Sequence, residues 1–277
     1  MRAPAGRPVT VAVTFDDDDG QPVPVEAATY TVTDGAGVVS EPLPAAVDAA
    51  GVATAVLPAL TRLDRLTVAF STTIEDHAHT VAVTVDVVAQ RLVPLHRLRE
   101  AVRDAAPQLY DGAPPDATLL RAAADAAEDW IDDALGYPAV RRAVRARWRH
   151  AGGPFLRPRE VVHPGELYEA EVAGVPVDVA DVEVYEAFAW ERPHRAWPAG
   201  PARVWGTHGI AEPAEDLRRA AVVLARYLAR TSKVPERAAS MTTESTLIVF
   251  SKPDSQKPTG LPEVDAVITR RRVEAHV

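Results

Sequence analysis

The hydrophobic period of this chain changes near residue 90, and that change limits what it can fold into. Before it, apolar and polar residues alternate in Val9–Phe15, Thr29–Thr33, Leu66–Ser71 and Val81–Val87. Each stretch is rich in β-branched side chains, the pattern of a half-buried strand. Turn formers separate them at Asp19-Gly20, Asp34-Gly35-Ala36-Gly37 and Ala50-Gly51. About seven short strands at spacings of roughly 8 to 12 residues predict an all-β, immunoglobulin-like sandwich over residues 1–90. The Cys and Trp hallmarks of antibody domains are missing from that stretch, so the expectation rests on strand count and spacing.

After residue 90 the spacing is read as helical. Pro94 precedes Leu95, Leu98 and Val102, a first-turn proline followed by one apolar stripe. Gly112-Ala113-Pro114-Pro115 interrupts, and Asp116 is a good N-cap for a long second helix through Leu119, Leu120, Ala123, Ala127, Trp130, Ile131 and Leu135, stopped by Gly136-Tyr137-Pro138. A third helical segment is expected from Ala139 to about His150, with Val140, Val144 and Trp148 at four-residue steps and Arg141, Arg145 and Arg149 at another set. Residues 154–205 are rich in proline and predict a small β-hairpin and loop insertion, with short strands near Val172–Val177 and Val182–Phe188. Pro213, Glu215 and Asp216 then open the clearest helix of the chain, with Leu217, Ala220, Ala221, Leu224, Tyr227 and Leu228 on its apolar stripe and its end near Ser232.

Arg141, Arg142, Arg145, Arg147 and Arg149 are the densest basic cluster. They suit a phosphate backbone, so a DNA-channel face is one reading; an ion-paired face against Asp125, Glu128, Asp129, Asp132 and Asp133 or a neighbouring subunit is the other. Trp190, Trp197 and Trp205 admit a sugar- or base-stacking platform, or core or subunit-interface packing. Asp16–Asp19 and the pair His77 and His79 are weighed as cation ligands against polar turns; the spacing of a calcium loop is missing and no third ligand converges on the histidines. Lone surface positions are expected for His163, His194 and His208. No metal or cofactor is expected.

Charge adds a division. Residues 1–90 carry 12 acids and 4 bases, whereas the remainder carries 27 and 26, so the acidic first module is expected to face solvent or protein rather than nucleic acid or an anionic membrane. The absence of cysteine excludes disulfides and a thiol nucleophile. Neither a signal-peptide core nor an apolar run of about 18 residues is present, which predicts no membrane partner and synthesis in the cytoplasm.

The apolar run Leu247-Ile248-Val249-Phe250, the stretch Thr259-Gly260-Leu261-Pro262-Glu263-Val264-Asp265-Ala266-Val267 and the upstream Ala211-Glu212-Pro213-Ala214-Glu215-Asp216-Leu217-Arg218-Arg219-Ala220-Ala221 carry a resemblance. In order and spacing they resemble the head-to-tail adaptor, or connector, proteins of tailed bacteriophages, actinobacteriophage type, over about residues 92–272. Phe15-Asp16-Asp17-Asp18-Asp19-Gly20-Gln21-Pro22 is similar to the first hairpin of phage Ig-like modules. The fold implied is multidomain: an Ig-like sandwich at 1–90, a mainly α-helical adaptor domain at 91–245 with the 154–205 insertion, and an extended C-terminal tail at 246–277.

The resemblance implies a structural virion protein made in the host cytoplasm and located at the head-to-tail junction. There it would form a homo-oligomeric, typically twelvefold ring under the portal, extend the channel for packaged double-stranded DNA, and dock the next neck or tail component, a stopper or tail terminator. Portal or neighbour-subunit contacts are expected at Leu247, Ile248, Val249, Phe250, Gly260, Pro262, Glu263, Val264 and Asp265, the apolar run adding a strand to a partner sheet. The long middle insertion departs from the family's pattern. An enzyme is not expected, because the acids between Glu166 and Glu183 form ordinary alternating patterns rather than a paired carboxylate site. A carbohydrate-binding, adhesion or decoration role for the Ig-like module is the alternative.

Overall fold

The computed structural model describes residues 1–17, 21–109, 115–185, 189–193, 195–229, 240–243, 246–249 and 259–274. The chain divides into two units, residues 1–90 with 141–208 and residues 91–140 with 209–277.

In the first unit the chain forms β1 (Arg2–Pro4), β2 (Val9–Val13), β3 (Phe15–Asp16), β4 (Pro22–Val23), β5 (Thr29–Thr33), β6 (Leu43–Pro44), β7 (Ala46–Val47), β8 (Ala53–Leu57), β9 (Arg65–Ile74) and β10 (His77–Val88). After the intervening helical stretch it adds β11 (Arg142–His150), β12 (Phe155–Leu156), β13 (Pro164–Val172), β14 (Val175–Val177), β15 (Glu183–Tyr185), β16 (Ala189–Glu191) and β17 (Gly200–His208). The main sheet runs β14-β13-β17-β11-β10-β9-β5-β6, with β1 parallel to β10. Alternation aims Val9, Val11 and Val13 of β2 and Ala53, Ala55 and Leu57 of β8 into one core with Tyr30, Leu66, Val68, Phe70, Val85 and Val87 from the main sheet. Apolar burial of this kind is worth about 25 cal/mol for each Å² removed from water.

The main sheet continues past β10 through one residue pair, Val88 with Arg142, and a backbone bond from Ala89 N–H to the Arg141 carbonyl at 3.0 Å. Beyond that joint, β11, β17 and β13 pair over long antiparallel registers. Their inner face, Val144, Ala146, Leu167, Ala170, Val172, Ala202 and Val204, covers a second core holding Leu156, Val161, Trp190 and Trp197. Gly206 makes this packing possible: a Cβ there would lie 2.7 Å from the Glu166 carbonyl oxygen and 3.2 Å from Trp190.

The second unit consists of α1 (Leu95–Leu109), α2 (Ala117–Leu135), α3 (Glu215–Leu228), the hairpin β18 (Ser240–Thr243) with β19 (Thr246–Val249), and α4 (Pro262–Glu274). Asp116 caps α2 by accepting the Leu119 N–H at 2.7 Å, and Gly136 ends it at φ 78°, donating its N–H to the Asp132 carbonyl. Leu98, Val102, Leu120, Ala124, Ile131, Leu217, Ala221, Leu224, Val264 and Ile268 supply its buried apolar side chains.

The mainly α-helical region expected from residue 91 onward is overturned. Among the described residues 40% are in strands and 25% in helices, and the expected third helix is strand β11. The reason lies in the spacing itself. Steps of four are even, so Val140, Val144 and Trp148 against Arg141, Arg145 and Arg149 suit the two faces of a strand as well as the stripes of a helix. The stretch read as an insertion at 154–205 also contains most of β13 and β17, with Pro164 and Pro201 at strand starts, where a missing N–H costs little.

Two expectations follow. His208, at the end of β17, is buried, and desolvation first, then Arg142 and Arg65, push its pKa down to about 4. The folded state holds it neutral, so its contribution is complete above pH 6.5 and is lost as pH falls from 6.5 towards 4, where the unfolded chain binds the extra proton. The loss amounts to about 3 kcal/mol from this residue. His150 and His163, also lowered chiefly by desolvation, act with the same sign. Urea unfolding of the wild type should weaken between pH 7.5 and 5 more steeply than that of His208→Gln. The β9–β10 turn places Glu75 and Asp76 at φ 49° and 65° between the paired residues Ile74 and His77, a two-residue loop whose backbone favours Asn-Gly. Glu75→Asn with Asp76→Gly should stabilise this unit by about 1 kcal/mol in the same assay.

Candidate interfaces: an arginine and aromatic sheet face, and the C-terminal helix

The outer face of the β11–β17–β13 sheet is built by register. Arg145 stands opposite Trp205 and then Glu169; Arg147 opposite Arg203 and then Glu171; Arg149 opposite Pro201. Because the inner residues of these strands fill a core, the outer ones are forced outward as a charged surface.

A stack organises it. The Arg145 guanidinium lies 3.9 Å from the centre of the Trp205 ring, Tyr168 meets Trp205 edge-on at 5.1 Å, and Arg62 lies 5.4 Å and 5.9 Å from the two ring centres. Arg145 also approaches Asp64 at 3.6 Å, and the Leu63 N–H donates to the Tyr168 hydroxyl at 3.4 Å. Cation–π contacts of this kind are worth about 0.5 to 2 kcal/mol. Desolvation raises the Tyr168 pKa above its ordinary value, so the phenol keeps its proton at neutral pH.

Arg145, Tyr168 and Trp205 also line an open groove of about 790 Å³, together with Arg147, Arg203, Glu169, Glu171 and Asp178 among others. Three guanidinium groups and three carboxylates leave the groove without a dominant field. Arg203 is ion-paired with Glu171 at 2.6 Å and Arg145 is held by Trp205 and Asp64, whereas Arg147 and Arg149 carry no ion pair among the described residues. Arg147 and Arg149 are therefore the exposed guanidinium groups of this face that no carboxylate holds among the described residues.

The four arginines proposed from sequence do not share a face. Arg145 and Arg149 point outward, and Arg142 lies on the opposite side, paired across the sheet with Val88 and His208. Arg141 precedes the strand, half-buried, and a Cβ on Gly165 would lie 2.8 Å from its guanidinium. Trp190 and Trp197 are 1% exposed, and Arg145 covers one face of Trp205, so these tryptophans form no stacking platform. Of the α2 acids, Asp125 and Glu128 bind Arg91 and Asp132 accepts the Ala139 N–H. Asp17 accepts the Gln21 N–H at 2.8 Å as a turn residue, while Asp18, Asp19 and His194 lie outside the described residues. No group of three metal-ligating side chains occurs among the described residues.

The other candidate surface is C-terminal. Leu247, Ile248 and Val249 lie in β19, paired with Thr242, Met241 and Ser240 of β18, and Phe250 lies outside the described residues. Gly260, at φ 70°, and Pro262 lead into α4, where Glu263 is exposed. Val264 is fully buried and Asp265 is 5% exposed. Asp265 accepts from the Thr259 N–H at 2.9 Å and from its hydroxyl at 2.7 Å, fastening the start of the helix. Further along, Arg271 pairs with Asp216 at 3.0 Å and Tyr137 donates to the Arg271 carbonyl at 3.2 Å. Desolvation opposes ionisation of Asp216, but the Arg271 and Leu217 hydrogen bonds prevail and lower its pKa. Val264 and Asp265 thus serve the interior of the unit, and Pro262 and Glu263 are the members turned to solvent.

Sequence reading missed Arg62, Tyr168 and Arg203. The signal available was the odd-numbered parity of Arg145, Arg147 and Arg149, which marks one strand face; the partners on β13, β17 and the 62–64 segment come from register alone. A double-mutant cycle on Arg145→Ala and Trp205→Leu, read by urea unfolding, should give a coupling of about 1 kcal/mol, and a coupling near zero would show that the stack is incidental.

No protein-family model matches the chain, and no curated protein matches it.

Proposed function

We propose that the chain is a structural virion protein, a head-to-tail adaptor that forms a ring, twelvefold in the resembling family, beneath the portal of a tailed bacteriophage. The observation that carries this reading is that its two most informative motifs belong to one helical unit. Ala211–Ala221 forms the entry and first half of α3, Thr259–Val267 forms the cap and first turns of α4, and Asp216 of the first helix is ion-paired with Arg271 of the second. A role in assembly, rather than catalysis, agrees with a described surface organised by arginine–aromatic stacking and ion pairs.

In this reading the ring binds the portal on one side and a stopper or tail terminator on the other, at the neck of the virion. Arg147 and Arg149 are the side chains best suited to packaged DNA, since they alone among the arginines of β11 are exposed and carry no ion pair among the described residues. Head-to-tail subunit contacts close into a ring when the rotation per subunit permits, so a modest patch repeated around the axis suffices.

The test is light-scattering mass of the purified chain with and without portal-bearing, DNA-filled capsids, followed by imaging of the vertex. A ring below the portal is expected; a chain that never engages capsids contradicts the proposal. Because α4 supplies Val264 and Ile268 to the core, the tail must be tested without removing it. Replacing residues 240–249 by a Gly-Ser linker should weaken capsid engagement while helical circular dichroism is retained. Unchanged engagement would remove that hairpin from the portal contact.

A further inference from the structure

The second unit leaves one side of α2 uncovered. Leu120, Ala124, Ala127, Ile131 and Leu135 are buried, but Leu119, Ala122, Ala126, Trp130 and Asp133 fall within about a third of the helix circumference and are all exposed. Leu119 is 37% and Trp130 42% exposed. Single exposed apolar side chains are ordinary on a protein surface. A tryptophan and a leucine three turns apart on one face, with alanines between them, form a flat and accessible apolar strip. Asp133 lies beside it and carries no ion pair among the described residues.

A complementary surface lies on α3. Arg219, Val223 and Tyr227 recur at four-residue steps; Arg219 is exposed and carries no ion pair among the described residues, Val223 is half-buried, and Tyr227 is 43% exposed. One strip is apolar with an acidic end, and the other is aromatic with a basic end. Their charges match across two copies, and they are two different patches, which is the requirement for a head-to-tail contact.

We propose that the α2 strip of one copy docks on the α3 strip of a second copy of this chain, with Trp130 packed against Tyr227 and Val223 and Asp133 facing Arg219. This contact deepens, and for its closure into a ring rests on, the reading of the chain as a ring subunit. Trp130 is the anchor, since buried aromatic side chains dominate interface energetics.

The chain has no cysteine, so thiol crosslinking has no background. Ala126→Cys and Val222→Cys place one thiol on the α2 strip and one beside the α3 strip while keeping Trp130, Tyr227, Asp133 and Arg219, and a short bis-maleimide is applied to concentrated protein and to protein bound to portal-bearing capsids. The double variant is expected to give a ladder of dimers, trimers and higher species. The two single variants mixed should give dimers, and each alone should give none. Adding Trp130→Ala, with helical circular dichroism retained, should reduce the ladder tenfold or more. Dimers from Ala126→Cys alone would show an α2-to-α2 contact and overturn the proposal. A ring imaged at the vertex without a ladder would overturn this contact and leave the adaptor reading standing. A ladder in solution from a chain that ignores capsids would support the contact and sink the adaptor reading, and the absence of both would overturn both.

Discussion

The helical unit depends on one fully buried carboxylate. Glu128, on the inner side of α2, is 0% exposed and accepts from the Val93 N–H at 2.8 Å and from the Arg91 Nε at 3.0 Å. Arg91 reaches Asp125 as well, at 2.8 Å. One turn further on, Asp132 accepts the Ala139 N–H at 2.7 Å. Burying such a charge costs several kcal/mol unless its lone pairs are used, and here backbone and guanidinium donors use them. A single helix therefore holds the chain at residues 91–93, where it enters the unit, and at residue 139, just before it leaves.

That anchorage explains how a long β segment can stand between α2 and α3. With its entry and exit fixed on α2, the first helical pair does not need residues 141–208 to find its own geometry. α3 and α4 return after the strands and join through Leu217, Leu224, Val264 and Ile268, with the Asp216–Arg271 pair at the rim. The strands in turn complete their own core around Trp190 and Trp197, and their outer residues become a surface by default. Both proposed interaction surfaces, the arginine face of β11 and the uncovered strip of α2, are the sides that these two cores leave unused.

Much of the secondary structure was legible because single residues decide it. Asp116 and Gly136 bound α2, Pro213 and the acids Glu215 and Asp216 precede or open α3, and alternation marks β2, β5, β9 and β10. The β11 region was misread because a four-residue step does not distinguish the two periods, and nothing local in Arg142–His150 breaks the tie. What breaks it is non-local: β17 and β10 supply partners from 50 or more residues away in each direction. The same limit applies to the site. That Arg145 stacks on Trp205 and Tyr168 follows from sheet register, and that Val264 and Asp265 face inward follows from which side of α4 the rest of the unit covers. A buried Glu128 inside the acidic run Asp125–Asp133 was equally hidden, because its burial depends on Arg91 and Val93.

The most direct measurement on this account is amide hydrogen exchange of wild type and Glu128→Ala, read separately for each helix. If the buried carboxylate ties the unit together, α1, α2, α3 and α4 should lose protection in common, by about 3 kcal/mol in opening free energy. A loss confined to residues 91–93 and the first turn of α1, with α3 and α4 unchanged, would contradict it and show that the helices are held together without this anchor.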